Sequence, residues 1–337
     1  MTKTVQEVAP KILEEIKKAK RVLLHLHPRP DEDSIGSALT LWHAFKRMGK
    51  EVTLIQGDSA LPLKFFSFPG AEHIEKKHIG EINLSEFDLF IIVDSAQIRM
   101  VSDMNDITFP PSLYTIVIDH HPSNTRYAQL NLVDSTYPAT AQIIYDLFKL
   151  WGVSISEEIA QCLYVGMWAD TGGFQYSLTN ADTLRAAADL LEISPKALDV
   201  VFKVLNSNEP QHIAFQGLAL SCVETFFDEQ VAISFVPFEK LQEKGIQPFH
   251  TENQGISSAL KSVKGWNVGI SFVETKPNRV VISIRTRNEL IDASKIAEIL
   301  GGGGHKVAAG VTLRAPFQEA KKKLIEAIGE VLVESRA

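Results

Sequence analysis

Two cysteines, Cys162 and Cys222, are all the thiols in 337 residues. They lack metal-type spacing, which excludes a disulfide-stapled scaffold and a thiolate metal centre and points to a reducing compartment. Long apolar runs are missing too. Stretches such as Leu89-Phe90-Ile91-Ile92-Val93 are far too short to cross a bilayer. Near the start, Lys17, Lys18, Lys20 and Arg21 mingle with Glu14 and Glu15, without the apolar core of a signal peptide. The expectation is a cytoplasmic protein with no membrane partner. Nor is there an excess of positive charge. At a net charge of −7 no global basic field exists to hold long duplex nucleic acid. A short or terminal anionic substrate needs only a local basic pocket and stays open. Repeats are absent, and Gly301-Gly302-Gly303-Gly304 is the one low-complexity stretch.

What is present is ordinary globular material, 45% hydrophobic and 22% charged, long enough for two cores. Helical spacing is expected over 5–20, 35–48, 139–151 and 157–168, with Gly49 as a C-cap. Strands are expected at 21–25, 51–55, 89–93 and 114–118, so strands and helices alternate through the first half. That rhythm predicts an α/β fold with a mostly parallel sheet covered on both faces. The second half predicts helices over 181–191, 195–205, 238–244, 293–300 and 316–334. With them come strands over 231–235, 267–273 and 279–285, a second and smaller α/β domain. The expected division is a first domain over 1–190, a connector over 191–210 and a second domain over 211–337.

Ligands of open parallel sheets sit beyond the carboxyl ends of the strands. Three expected strands end on potential ligands: His25-Leu26-His27, Val93-Asp94, and Ile118-Asp119-His120-His121-Pro122. Each alone could be a cap or a turn, but their shared placement argues for a site. Pro28 and Pro30 stiffen the loop after His27, which carries Asp31 and Asp33. Those prolines forbid the helix that would make His27 and Asp31 neighbours, and an extended loop would let Asp31 and Asp33 reach separate ions. Asp170 precedes a Thr171-Gly172-Gly173 turn. His27, Asp31, Asp33, Asp94, His120 and Asp170 form an oxygen and imidazole set that suits Mn²⁺, or Mg²⁺, better than a structural zinc. The four carboxylates balance two divalent ions. Two ions about 3.5–4 Å apart clamp an in-line displacement and lower the pKa of a bridging water toward ~7, which is hydrolysis at phosphorus.

Several pieces, in order, carry a resemblance. They are His27-Pro28-Arg29-Pro30-Asp31-Glu32-Asp33-Ser34-Ile35-Gly36-Ser37, Val93-Asp94-Ser95, Asp119-His120-His121-Pro122 and Gly166-Met167-Trp168-Ala169-Asp170-Thr171-Gly172-Gly173-Phe174. Later come Ser283-Ile284-Arg285 and the glycine run leading into His305-Lys306-Val307-Ala308-Ala309-Gly310. The chain resembles the DHH family of metal-dependent phosphoesterases in its two-domain DHH/DHHA1 form, and most of all its branch of bacterial oligoribonucleases (nanoRNases) and pAp-phosphatases. The resemblance implies that His27 and Asp31 hold one Mn²⁺, Asp33, His120 and Asp170 a second, and that Asp94 bridges them. It implies that Asp119 fixes a ligand histidine and that His121 leans toward the phosphate, Asp119 and His121 completing the catalytic set. Arg285, Gly303, Gly304 and His305 would grip the rest of the nucleotide across a cleft between the domains.

On the strand over 279–287, Val280, Ile282 and Ile284 share one face while Ser283, Arg285 and Arg287 share the other. Arg285 is therefore free to meet an anion, whereas Arg287 fits a solvated edge. Four glycines before His305 fit backbone amides approaching a phosphate. His25 fits a packed or surface histidine, and His43, His73, His78, His212 and His250 have no partners at ligand spacing. Phe226, Phe227, Phe235 and Phe238 fit a core. One departure from the family stands at Pro138-Ala139-Thr140-Ala141-Gln142, where Glu is expected in place of Gln142. The expected activity is Mn²⁺-dependent hydrolysis of short RNA oligonucleotides to mononucleotides, with removal of the 3′-phosphate of pAp. The alternatives are a phosphodiesterase for pApA or cyclic di-AMP, a type II pyrophosphatase, which should lack the segment around His305, and a non-catalytic nucleotide sensor. A homodimer is compatible with each.

Overall fold

In the computed structural model, which describes residues 1–102, 104–207, 209–251, 254–287 and 291–334, the chain divides into two units, Met1–Ser207 and Asn208–Ala337. The first is built from α1 (Lys3–Lys18), β1 (Arg21–His25), α2 (Glu32–Arg47), β2 (Glu51–Ile55), β3 (Leu89–Val93), β4 (Tyr114–Asp119), β5 (Leu130–Val133), α3 (Thr140–Trp151), α4 (Glu157–Asp170), α5 (Ala181–Ile193) and α6 (Ala197–Leu205). The five strands pair in the order β2-β1-β3-β4-β5, and every pairing is parallel. β3 reads Leu-Phe-Ile-Ile-Val and is buried throughout, as a central parallel strand must be. Its side chains alternate between two cores. Ile91 and Val93 face the larger one with Leu24 and Ile116, while Phe90 and Ile92 join Leu23 and Val117 on the other face.

The first unit differs from the sequence expectations in two places. α2 starts at Glu32 instead of residue 35, because Asp31 is its N-cap and accepts a hydrogen bond from the Ser34 N–H at 2.9 Å. Glu32 and Asp33 then fill the first turn, where acidic residues complement the helix dipole. Second, β5 lies outside the expected strands. The helix expected over 195–205 is present as α6, and its Val200, Val201 and Val204 pack into the first unit's core.

The second unit comprises α7 (Pro210–Ser221), β6 (Val223–Phe226), β7 (Val231–Val236), α8 (Phe238–Glu243), α9 (Ile256–Ser262), β8 (Val268–Lys276), β9 (Arg279–Thr286), α10 (Ala293–Ile299), β10 (Gly303–His305), β11 (Ala308–Arg314) and α11 (Phe317–Glu334). Its sheet runs β10-β11-β9-β8-β7-β6, antiparallel except for the β7–β8 pair. Val280, Ile282 and Ile284 of β9 are buried against α10 and α11 residues such as Ile296 and Leu324, so the alternation expected for this strand holds. α7, β6, α9, β10 and β11 lie outside the expected elements. β10 is short and forms a tight hairpin with β11.

Candidate active site

The residues beyond the β1, β3 and β4 ends converge with two from helices. His27, Asp31 and Asp94 offer ligand atoms within 4.8 Å of one another; so do Asp33, His120 and Asp170; so do Asp94, His120 and His121. All six expected ligands are thus brought together in two groups, with Asp94 reaching both. Its Oδ2 lies 3.6 Å from His27 Nε2, and its Oδ1 lies 3.6 Å from His120 Nε2. Asp94 follows β3 in the left-handed region, φ 53°, a conformation that aspartate tolerates better than most side chains.

The route by which Asp31 and Asp33 separate differs from the expected extended loop. Asp31 stands at the N-cap, 3.8 Å from His27 Nε2, so the loop brings the two together without a helix. Asp33, two residues on, is already helical and points to the other group. Its carboxylate is buried and accepts the Thr140 N–H at 2.7 Å on Oδ2 and the Ala141 N–H at 2.9 Å on Oδ1. A Pro-Asp followed by acidic residues carries a helix-start signature, and that signal could have placed Asp33 correctly. Asp170 likewise ends α4 and is no turn residue.

Backbone carbonyls set the tautomers of both candidate ligand histidines. His27 Nδ1 faces the Pro28 carbonyl at 3.0 Å, and His120 Nδ1 faces that of Tyr137 at 3.3 Å. Each Nδ1–H donates there, which leaves Nε2 directed at carboxylates, as a metal-binding imidazole requires. Asp119 departs from its expected role. Its Oδ1 accepts from His121 Nδ1 at 2.7 Å and its Oδ2 from Asn124 Nδ2 at 2.6 Å. The histidine it orients is therefore His121, not the ligand His120.

Electrostatics single out the same residues. Burial works against a charged His27, yet Asp31 and Asp94 outweigh it and push its pKa up to about 11. Burial likewise opposes a charged His120, but Asp170, Asp94 and Asp33 raise it to about 10. Burial, with Asp94 and Asp170 nearby, holds Asp33 well above the usual carboxylate range, and burial with Asp31 and Asp94 lifts Asp170 to about 6. So many buried carboxylates close together demand positive charge. His120 Nε2 is buried without a hydrogen-bond partner, although Asp170 Oδ2 lies 3.2 Å away. An orphaned imidazole nitrogen among carboxylates, with no thiolate, fits a hard divalent cation.

Close helix packing supports this arrangement. A Cβ on Gly36 of α2 would lie 2.5 Å from the Cys162 carbonyl of α4, and one on Gly166 would lie 2.9 Å from Asp33 Oδ1. Gln142, at the family's Glu position, is buried and accepts a hydrogen bond from Thr183 Oγ1 at 2.8 Å. His25 is fully buried, edge-on to Phe90 at 5.3 Å, a packed histidine as expected.

In the second unit, Arg285 faces Gly269 on β8 and Ala308 on β11, both small. Its Nη1 donates to the Ile284 carbonyl at 3.0 Å. Arg287 is exposed, as expected, and its Nη2 also donates to the Ser262 and Val263 carbonyls at 3.0 and 3.3 Å, closing the end of α9. The glycines before His305 form the β10 hairpin. Cβ atoms on Gly302 and Gly304 would meet β11 at 2.4 and 2.5 Å, whereas Gly303 has open space. His305 is exposed beside it. Phe235 is core, with Phe226 and Phe227 packed against it.

Residues 21–167 match the DHH family, N-terminal domain, and residues 230–334 match the DHHA1 domain. With the parallel sheet and its ring of aspartates and histidines, these matches show that the chain belongs to the DHH/DHHA1 family of phosphoesterases. Within it, the bifunctional oligoribonuclease and PAP phosphatase NrnA of Thermus thermophilus is 31% identical over 92% of this chain and 90% of its own length. The protein of that name from Bacillus subtilis is 24% identical, covering 90% and 93%. An exopolyphosphatase-related protein from Bacteroides fragilis has the same fold, with a TM-score of 0.90 at 24% identity over the full length of both chains. No helix among the described residues is long and apolar enough to cross a membrane.

Proposed function

We propose that this phosphoesterase hydrolyses short RNA oligonucleotides to mononucleotides and removes the 3′-phosphate of pAp, using two Mn²⁺ ions. The observation that carries the reading is the pair of ligand groups, His27/Asp31/Asp94 and Asp33/His120/Asp170, joined by the two oxygens of Asp94. The names of the relatives support the substrate class. Ions held there would polarise the phosphoryl oxygens and supply a hydroxide-like nucleophile near neutral pH. The remaining work falls to the chain. Asp119 holds His121 by its Nδ1, so His121 Nε2 is kept to hold a proton for the leaving oxygen, and that bond raises the His121 pKa although burial opposes it. Arg285, with small neighbours and fixed by its bond to the Ile284 carbonyl, would bind a second phosphate of the substrate as a bidentate donor. Gly303, Gly304 and His305 would complete that contact.

Metal-stripped protein should be given Mn²⁺ or Mg²⁺ and, separately, a labelled dinucleotide, a longer oligomer, pAp, cyclic di-AMP and pyrophosphate, with a chelator control. Turnover of the dinucleotide and pAp that the chelator abolishes is expected. Binding without turnover would replace the enzyme with a sensor, and preference for cyclic di-AMP would move the activity to the dinucleotide phosphodiesterases.

A further inference from the structure

α3 begins without a cap of its own. Its N-cap residue is Ala139, which has no side chain to accept the first amides. A helix start buried without such acceptors is costly, and here the acceptor comes from far away in sequence. Asp33 takes the Thr140 N–H on one oxygen and the Ala141 N–H on the other. The Thr140 side chain does something different. Fully buried, its Oγ1 donates to Asp94 Oδ1 at 3.1 Å. That is the Asp94 oxygen facing His120, whereas Oδ2 faces His27. Thr140 therefore holds two carboxylates at once, one by its amide and one by its hydroxyl, and both contacts lie on the Asp33/His120/Asp170 side.

From this we infer that Thr140 is a positioning residue for one of the two ion sites: it fixes the carboxylate oxygens of Asp33 and Asp94 that serve the His120-side cation, and leaves the His27-side cation to other supports. The inference rests on the two-ion centre proposed for this site and deepens it by making the two ions separable. A hydroxyl donating to a carboxylate orients one lone pair and leaves the other for a cation. Removing it loosens the Asp94 carboxylate, whose two oxygens turn together; Oδ1 then loses its one hydroxyl partner, while Oδ2 is still drawn to the side where His27 and Asp31 stand. Partners of this kind carry roughly 10- to 100-fold in metal affinity.

The test is Mn²⁺ titration of chelator-stripped full-length protein, with bound ion counted by the loss of the free Mn²⁺ electron paramagnetic resonance signal. Thr140→Val matches the shape and removes the hydroxyl; Thr140→Ala does so with less risk of strain. Each should weaken the His120-side ion about tenfold or more and the other, which shares Asp94, by a clearly smaller factor, and Thr140→Ser should restore both. With a dinucleotide, kcat should fall while KM holds. Two ions bound as in the unsubstituted protein, or both weakened alike, would overturn the proposal, as would failure of Thr140→Ser to restore affinity. An unsubstituted protein that takes up no Mn²⁺ would instead overturn the metal centre itself.

Discussion

The two units treat their functional side chains in opposite ways. In the first, His27, Asp33 and Asp94 are buried. Asp33 is gripped by two amides, and both ligand histidines are set by carbonyls. In the second, Arg285 stands on a strand between a glycine and an alanine, and Gly303 and His305 lie where little touches them. On the proposed function, the contrast follows from what each would bind. A cation a few ångströms across rewards donors held to within fractions of an ångström. An anion that arrives with its own flexible chain would be met well enough by a long guanidinium.

The comparison breaks most visibly at Asp94. Asp94→Ala should remove the shared carboxylate and lower kcat on a dinucleotide by on the order of 1,000-fold or more, read by single-turnover assay with excess Mn²⁺; a loss under tenfold would deny it the shared role. Arg285→Ala should act on capture, raising KM roughly 10- to 100-fold with kcat nearly unchanged, the size of a lost charge-assisted hydrogen bond. A fall in kcat at constant KM would move Arg285 into the chemistry.

A smaller effect concerns pH. The pKa values of His27 and His120 are raised to about 11 and about 10 from an unfolded value near ~6.5. Their protonation thus stabilises the metal-free protein fully below ~6.5 and fades as pH rises toward those values. Denaturation of stripped protein should show stability falling between pH ~7 and ~10, and Mn²⁺ should reverse the fall because it binds the deprotonated ligands. Flat stability across that range would contradict the assignment. Smallest is Arg287→Ala, expected to cost about 0.5–1 kcal/mol by chemical denaturation, since it opens the end of α9 at an exposed position. A KM effect as large as that of Arg285 would instead put Arg287 on the substrate.

Much of the first site is legible in the sequence because it lies where parallel strands end. A buried apolar run stopping on Asp94 or Asp119 is a local signal. The pairing of Asp33 with Thr140 and Ala141 is not legible, because it joins residues more than a hundred positions apart and depends on how three helices cross. The partner of Asp119 departs from expectation for a related reason: His120 and His121 are adjacent, and only the Tyr137 carbonyl decides which of them Asp119 is left to hold. In the second unit the β9 alternation is plain, but the hairpin of β10 with β11 is hidden. Its glycines are explained by close strand packing at Gly302 and Gly304, a cause that no local pattern reveals.

The crossing of α2 and α4 leads further. With backbone nearly against backbone at Gly36 and Gly166, the spacing of the two helices is a fixed gauge. One carries Asp33 in its first turn and the other ends on Asp170. The width of the gap between those two carboxylates is thus cut by glycines outside the gap itself. A single methyl group at Gly166 would press on Asp33 Oδ1 itself, and one at Gly36 on the α4 backbone, so either would shift the two carboxylates without replacing them.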